Sequence, residues 1–110
     1  MSINSNKKGK AGERGWAKLC REQGFEDARR SQQYAGINND ADVVGLPGLH
    51  VEVKRVERLN VSNAIRQAIE DKTDEETAIV AHRKNKEPWL VTMRAEDWFE
   101  LYKKWLESEG

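Results

Sequence analysis

Residues 40–57, DADVVGLPGLHVEVKRVE, predict two β-strands joined by a tight turn. The GLPG segment has the residues of a turn, and the valine-rich runs on both sides have the composition of strands. If the turn is centred on Pro47, Asp42 lies opposite Glu52 and on the same face as Lys54. Opposed like charges destabilise a sheet, and a divalent cation bound by both carboxylates would offset that repulsion.

A second interpretation of the same stretch remains open. The charged face of the hairpin can be a solvated outer face, on which Asp42 or Glu52 pairs with Lys54 or Arg55. The opposite face, with Val43, Val51 and Val53, is expected to contact the core in either case.

The patterns in the rest of the chain predict an α/β domain with a single mixed sheet flanked by helices. Residues 1–10 are expected to form a mobile basic tail, and residues 11–110 a single domain. Helices are predicted over 11–23, 61–72 and 95–107, and strands over 25–31, 41–45, 49–56, 77–82 and 89–93.

The last predicted helix has an apolar stripe of Trp98, Leu101, Tyr102 and Trp105, at spacings i, i+3, i+4 and i+7. Such a stripe is expected to be core. The apolar arc is wide enough that part of it can also form the interface of a homodimer.

Composition excludes several classes of protein. The chain has 110 residues, one cysteine and a formal net charge of zero, so we expect neither a disulfide framework nor a multi-cysteine metal site. No apolar run is long enough to span a membrane, and the N-terminus lacks the apolar core of a secretory signal, which favours the cytoplasm. Residues 1–34 nevertheless hold eight basic and four acidic side chains, as in a local nucleic-acid-binding surface or a merely solvated one.

Glu13 is a further candidate because it lies at the edge of the apolar stripe of the first helix. It precedes Trp16 by three residues and Cys20 by seven, so its carboxylate is expected to point toward the body of the domain. The alternative is a glutamate that interacts with the helix dipole.

Four segments together resemble the PD-(D/E)xK nuclease superfamily: GERGWAKLCREQGF, ARRS, DADVVG and HVEVKR. The resemblance is greatest to the Holliday-junction-resolvase-like branch, which includes archaeal-type and small phage endonucleases. It covers about residues 11–83 and implies a restriction-endonuclease-like αβββαβ core, followed here by a C-terminal strand and helix. Ala41 departs from the family pattern, which has proline before the aspartate, and Asp40 is an alternative to Asp42 as the ligand.

The resemblance implies a metal-dependent endonuclease that acts on branched double-stranded DNA. Asp42, Glu52 and the backbone carbonyl of Val53 would bind Mg²⁺ or Mn²⁺. Lys54 would orient or activate the attacking water, and Glu13 would contribute to the metal site directly or through water.

Several polar residues are candidate DNA contacts. Arg30 and Ser31 match functional positions of the resolvase-like branch, and Gln67 lies on the helix that carries a polar residue in several nuclease families. Lys8 and Lys10 would follow a phosphate backbone. Surface charge and an exposed helix position are the corresponding alternatives, and neither His50 nor His82 is expected to be an essential base.

Two other functions fit the same residues. The chain can be a catalytically silent DNA-binding or assembly module, or a restriction-like or nicking nuclease with the same chemistry on another substrate. A bacterial or phage-encoded protein is expected in each case.

Overall fold

The computed structural model describes residues 5–31 and 41–109, and the side chains of residues 5–8 are not described. The helices are α1 (Ser5–Glu22), α2 (Val61–Asp71) and α3 (Ala95–Glu109). The strands are β1 (Arg29–Arg30), β2 (Val43–Val44), β3 (Leu49–Arg55), β4 (Thr77–Arg83) and β5 (Leu90–Thr92).

The five strands form one mixed sheet in the order β1-β2-β3-β4-β5. β3 and β4 are parallel, and the other neighbouring strands are antiparallel. A parallel pair needs a long crossover, and α2 supplies it. The predicted α/β class, with a single sheet flanked by helices, is confirmed.

The hairpin has the predicted register, because Val43 lies opposite Val51. Asp42 therefore lies opposite Glu52. The turn depends on Gly45, which has a φ of +95° and lies so close to the backbone of Asp27 that no Cβ would fit. Glycine is required here both for its conformation and for its size.

Both faces of the sheet are covered. On one face α1 packs on the strands through Trp16, Ala17, Cys20, Val43, Val51, Val53, Ile79 and Ala81. On the other face Ala64 and Ala68 of α2 pack against Ala78 and Val80. Side chains of a strand alternate between the two faces of the sheet. Glu52 and Lys54 therefore lie on the face that α2 covers.

Helix α1 differs from the prediction at its beginning. It starts at Ser5, so residues 5–10, which were expected to belong to a tail, are helical. Gly12, at first sight unfavourable in a helix, is buried, and a Cβ there would lie 3.0 Å from the Cβ of Arg55. The helix ends at Glu22, one residue before the predicted end. Phe25 N–H donates to Cys20 O and Gly24 N–H donates to Arg21 O, and these two bonds form a Schellman motif.

Helix α3 contradicts the expectation that its apolar stripe is core. None of its residues, all of which are described, is buried. Trp98 is 45 % exposed and Trp105 is 55 % exposed. The three rings of the stripe stack on one another, with centroids 5.2 Å apart for Trp98 and Tyr102 and 5.9 Å apart for Tyr102 and Trp105.

The short strand β1 is the other difference, since only two of the seven residues in the predicted strand 25–31 pair with β2. Among the described residues, no helix has the length and apolar character needed to cross a membrane.

Candidate metal centre

Glu52 lies in the middle of β3 and is buried. Its residue surface is 5 % exposed, and that of His50, two positions earlier on the same face, is 2 % exposed. The alternative of a solvated outer face is therefore wrong for these two residues, because α2 covers them. A buried carboxylate needs a hydrogen-bonding or charged partner.

Asp42 provides the carboxylate next to Glu52. Its backbone N–H donates to Val51 O at 2.8 Å, and its Oδ2 accepts from the Val53 N–H at 2.9 Å. The Asp42 carboxylate thus accepts a hydrogen bond from β3 that a backbone carbonyl of a neighbouring strand would otherwise accept. Asp42 lies just before the beginning of β2. This contact fixes the carboxylate at the edge of a rigid strand.

The two carboxylates strongly influence each other's protonation. Burial, followed by the negative charge of Asp42, raises the pKa of Glu52 to about 8, and the charge of Lys54 opposes this shift. Burial also raises the pKa of Asp42, against the hydrogen bond from Val53 and the charge of Lys54. Near neutral pH the pair therefore favours sharing one proton, and a bound cation would replace that proton.

Asp71 was not predicted as part of this site, and His50 was considered only as a residue that is not expected to be an essential base. His50 Nε2 lies 2.9 Å from Glu52 Oε2, and His50 Nδ1 lies 3.7 Å from Glu76 Oε1. Ligand-type atoms of His50, Glu52 and Asp71 all lie within 4.8 Å of one another. Asp71 ends α2, and the crossover brings it back to the beginning of β3, which the sequence pattern alone does not reveal.

The residues present fit a divalent cation. Two ligand sets share Glu52: the predicted set with Asp42 and the Val53 carbonyl, and the set with His50 and Asp71. Carboxylates suit Mg²⁺ and Mn²⁺ alike, whereas an imidazole donor suits Mn²⁺ better than Mg²⁺. Each set pairs the buried Glu52 carboxylate with a half-buried aspartate, and a cation would neutralise these neighbouring negative charges.

Glu13 lies on the α1 side of the sheet, where its Oε1 accepts a hydrogen bond from Arg30 Nε at 2.9 Å. The two residues form an ion pair, with 20 % of the Glu13 side chain and 32 % of the Arg30 side chain exposed. This pairing was not predicted. The proposed metal role of Glu13 and DNA role of Arg30 stay predictions.

The other predicted residues lie around the centre. Ser31 N–H donates to Asp42 O at 3.0 Å, which places Ser31 beside the carboxylate strand. Gln67 is exposed one helical turn before Asp71, and Lys10 is exposed in α1. The side chain of Lys8 and the whole of Asp40 lie outside the described residues.

The C-terminal ends of β3 and β4, which lie away from Asp71, are strongly basic. Residues 54–58 and 83–87, which we call the basic end, carry Lys54, Arg55, Arg58, Arg83, Lys84 and Lys86 against only Glu57 and Glu87. Two hydrogen bonds join the segments, from Asn85 N–H to Glu57 Oε2 at 2.7 Å and from Arg55 Nη2 to Asn85 Oδ1 at 3.2 Å. Because Gly12 packs on Arg55, the beginning of α1 with Lys10 also lies here.

Comparison with known proteins returns no match to any protein-family model, curated protein or solved structure.

Proposed function

We propose that this protein is a metal-dependent DNA endonuclease of the PD-(D/E)xK type that acts on branched double-stranded DNA. The observation that supports this most is that the half-buried Asp42 lies opposite the buried Glu52, with Lys54 next on the same face of β3. The cytoplasm of a bacterium, whether the protein is bacterial or phage-encoded, is the proposed location.

Asp42, Glu52 and the carbonyl of Val53 would hold Mg²⁺ or Mn²⁺, and His50 and Asp71 are the further donors within reach. When bound, such a cation lowers the pKa of a coordinated water and polarises a phosphate oxygen. β3 holds Glu52, Val53 and His50 at fixed positions, because it has neighbouring strands on both sides.

Lys54 follows Glu52 by two residues and is half-buried. Its ammonium group lies close enough to lower the pKa of both carboxylates. In this proposal its Nζ, a donor with a full positive charge, orients the water and stabilises negative charge on the phosphate.

The basic end would bind the DNA backbone. It begins at Lys54, so phosphates that follow its cations lead directly to the proposed metal ligands. The whole chain has no net charge, but the basic end holds six cations against two acids, a local excess of four positive charges that would attract a polyanion. Lys10, Ser31 and Gln67 are proposed as further contacts.

A second copy of the chain is the proposed protein partner. The apolar surface of α3 comprises Trp98, Phe99, Leu101, Tyr102, Trp105 and Leu106, which are 40 to 58 % exposed. At about 100 Å² for each half-exposed large side chain, it offers about 600 Å² per protomer, near the roughly 800 Å² that a partner contributes to a standard interface. A two-fold dimer suits a branched substrate with two-fold symmetry.

Cleavage of labelled four-way junction, flap, nicked and linear DNA tests the proposal, with Mg²⁺ and then Mn²⁺. Asp42→Asn is the matched variant, because it keeps the shape of the side chain. We expect cuts near the branch point by the parent and none by the variant. DNA binding without cleavage by either protein would instead indicate the silent module, and equal cleavage of all substrates a general or nicking nuclease.

A further inference from the structure

A pocket next to Lys54 has no role in the proposed chemistry. It has a volume of about 280 Å³ and lies on the α2 side of the sheet, between the β3–α2 connection and the β4–β5 hairpin. Its apolar walls are Val56, Leu59, Val61, Pro88 and Leu90, and His82 also lines it.

The pocket begins beside the proposed active site. Lys54 and His82 are partners on neighbouring parallel strands, and therefore lie side by side on one face, about 5 Å apart across the strands. His82 Nε2 lies 2.8 Å from Thr92 Oγ1, a contact that holds the ring in place. A group bound in the pocket would thus be the immediate neighbour of a phosphate at Lys54.

The chemistry of the pocket fits a nucleobase. Its walls are mainly aliphatic, and Val56, Val61 and Leu90 are 38 to 57 % exposed, which leaves apolar surface in contact with water. Arg83 and Lys84 add positive charge at the rim, against the single acid Glu87. An apolar slot beside cations suits a flat heterocycle attached to a phosphodiester, and the volume is near the lower limit of roughly 300 Å³ for small-molecule sites.

We propose that this pocket holds one unpaired nucleobase of the DNA, adjacent to the phosphate that lies at Lys54. The inference rests on the proposed function for the identity of the substrate. Such a pocket would make the protein selective for DNA with unpaired bases. Extrusion of a base costs least where the base is already unpaired, as at a bulge or branch point. Fully paired DNA would have to break a base pair to fill the pocket.

Equilibrium binding in EDTA, where no metal supports cleavage, tests the pocket. The probes are two duplexes that differ only by one unpaired adenine, and a second bulged probe carries 2-aminopurine at that position. The variant is Leu90→Ser, whose parent side chain is 57 % exposed, so folding should be retained. The matched control is Val91→Ser, 50 % exposed on the same strand but on the opposite face.

We expect the parent and Val91→Ser to bind the bulged duplex about tenfold more tightly than the paired one, and Leu90→Ser to lose most of this preference. The 2-aminopurine emission should change on binding of the parent and not of Leu90→Ser. Equal affinity of the parent for both duplexes, or an unchanged preference in Leu90→Ser, would overturn the inference. A preference for bulged DNA without cleavage in Mn²⁺ would support the pocket and refute the nuclease, whereas absence of DNA binding would overturn both.

Discussion

Replacing Glu52 by glutamine should stabilise the metal-free protein at neutral pH. The side chain is buried beside Asp42, and these two causes raise its pKa from 4.5 to about 8. Glutamine has the same shape and no charge, and its amide can donate to the Asp42 carboxylate. The substitution therefore removes an electrostatic cost of folding without leaving a cavity.

The sign and size of the effect follow from linkage. Because the pKa is raised in the folded state, the folded protein binds a proton that the unfolded chain has lost. The stability of the metal-free parent therefore falls as the pH rises from about 4.5 to about 8 and is level above that. At pH 7 the difference of about 2.5 pH units corresponds to about 3 kcal/mol, at 1.36 kcal/mol per unit.

Urea unfolding in EDTA between pH 4.5 and 8.5, followed by tryptophan fluorescence, to which the buried Trp16 contributes, measures this difference. Glu52→Gln should gain about 3 kcal/mol over the parent at pH 7 and almost nothing at pH 4.5. Mn²⁺ should then stabilise the parent and not the variant, because the variant lacks the shared ligand.

Glu70→Gln, an exposed position on α2, is the matched control and should change stability little at any pH. If Glu52→Gln were less stable than the parent at pH 8 in EDTA, the account of the centre would be refuted. Glu52 would then be an ionised member of a favourable buried ion pair, with no need for a cation.

Three further predictions concern the close packing of two glycines and the self-association of α3. Gly12→Val should destabilise by about 1–3 kcal/mol because α1 approaches β3 closely there, whereas Gly9→Ala, with open space around it, should stabilise by up to about 1 kcal/mol. Gly45→Ala should cost at least about 2 kcal/mol, because φ is +95° and the Asp27 backbone blocks a Cβ. Trp105→Glu should convert a dimer into a folded monomer, as measured by light scattering with size-exclusion chromatography.

Each of these predictions has an internal comparison. Gly48→Ala shares a positive φ but has open space around it, so it should cost less than Gly45→Ala. Equal urea midpoints for the two variants would contradict the steric argument. For α3, a parent that stays monomeric at concentrations of hundreds of micromolar would refute self-association through its apolar surface.

The hairpin and the carboxylate pair could be predicted because the signals are local. Turn residues fix the centre of the hairpin, and the period of two then places Asp42, Glu52 and Lys54 on one face. The N-terminal cap of α2 is equally local, since the side chain of Asn60 accepts a hydrogen bond from Asn63 N–H. Such features depend on residues close in the chain.

The remaining features depend on how the elements pack. An apolar stripe such as that of α3 has the same pattern whether a core or a second molecule covers it. Asp71 reaches Glu52 only through the crossover, and the basic end joins two segments about thirty residues apart that bond through Glu57 and Asn85. The need for glycine at position 12 depends on the close approach of β3, which cannot be read from the sequence of α1 alone.

The most direct test of the central claim compares the parent with Lys54→Met on branched DNA in Mn²⁺, while calorimetry measures metal binding to both proteins. If Asp42 and Glu52 hold the metal and Lys54 acts beside it, the variant should bind Mn²⁺ and lose cleavage by about a hundredfold or more. Equal cleavage by both proteins, or failure of the parent to bind Mn²⁺, would contradict it.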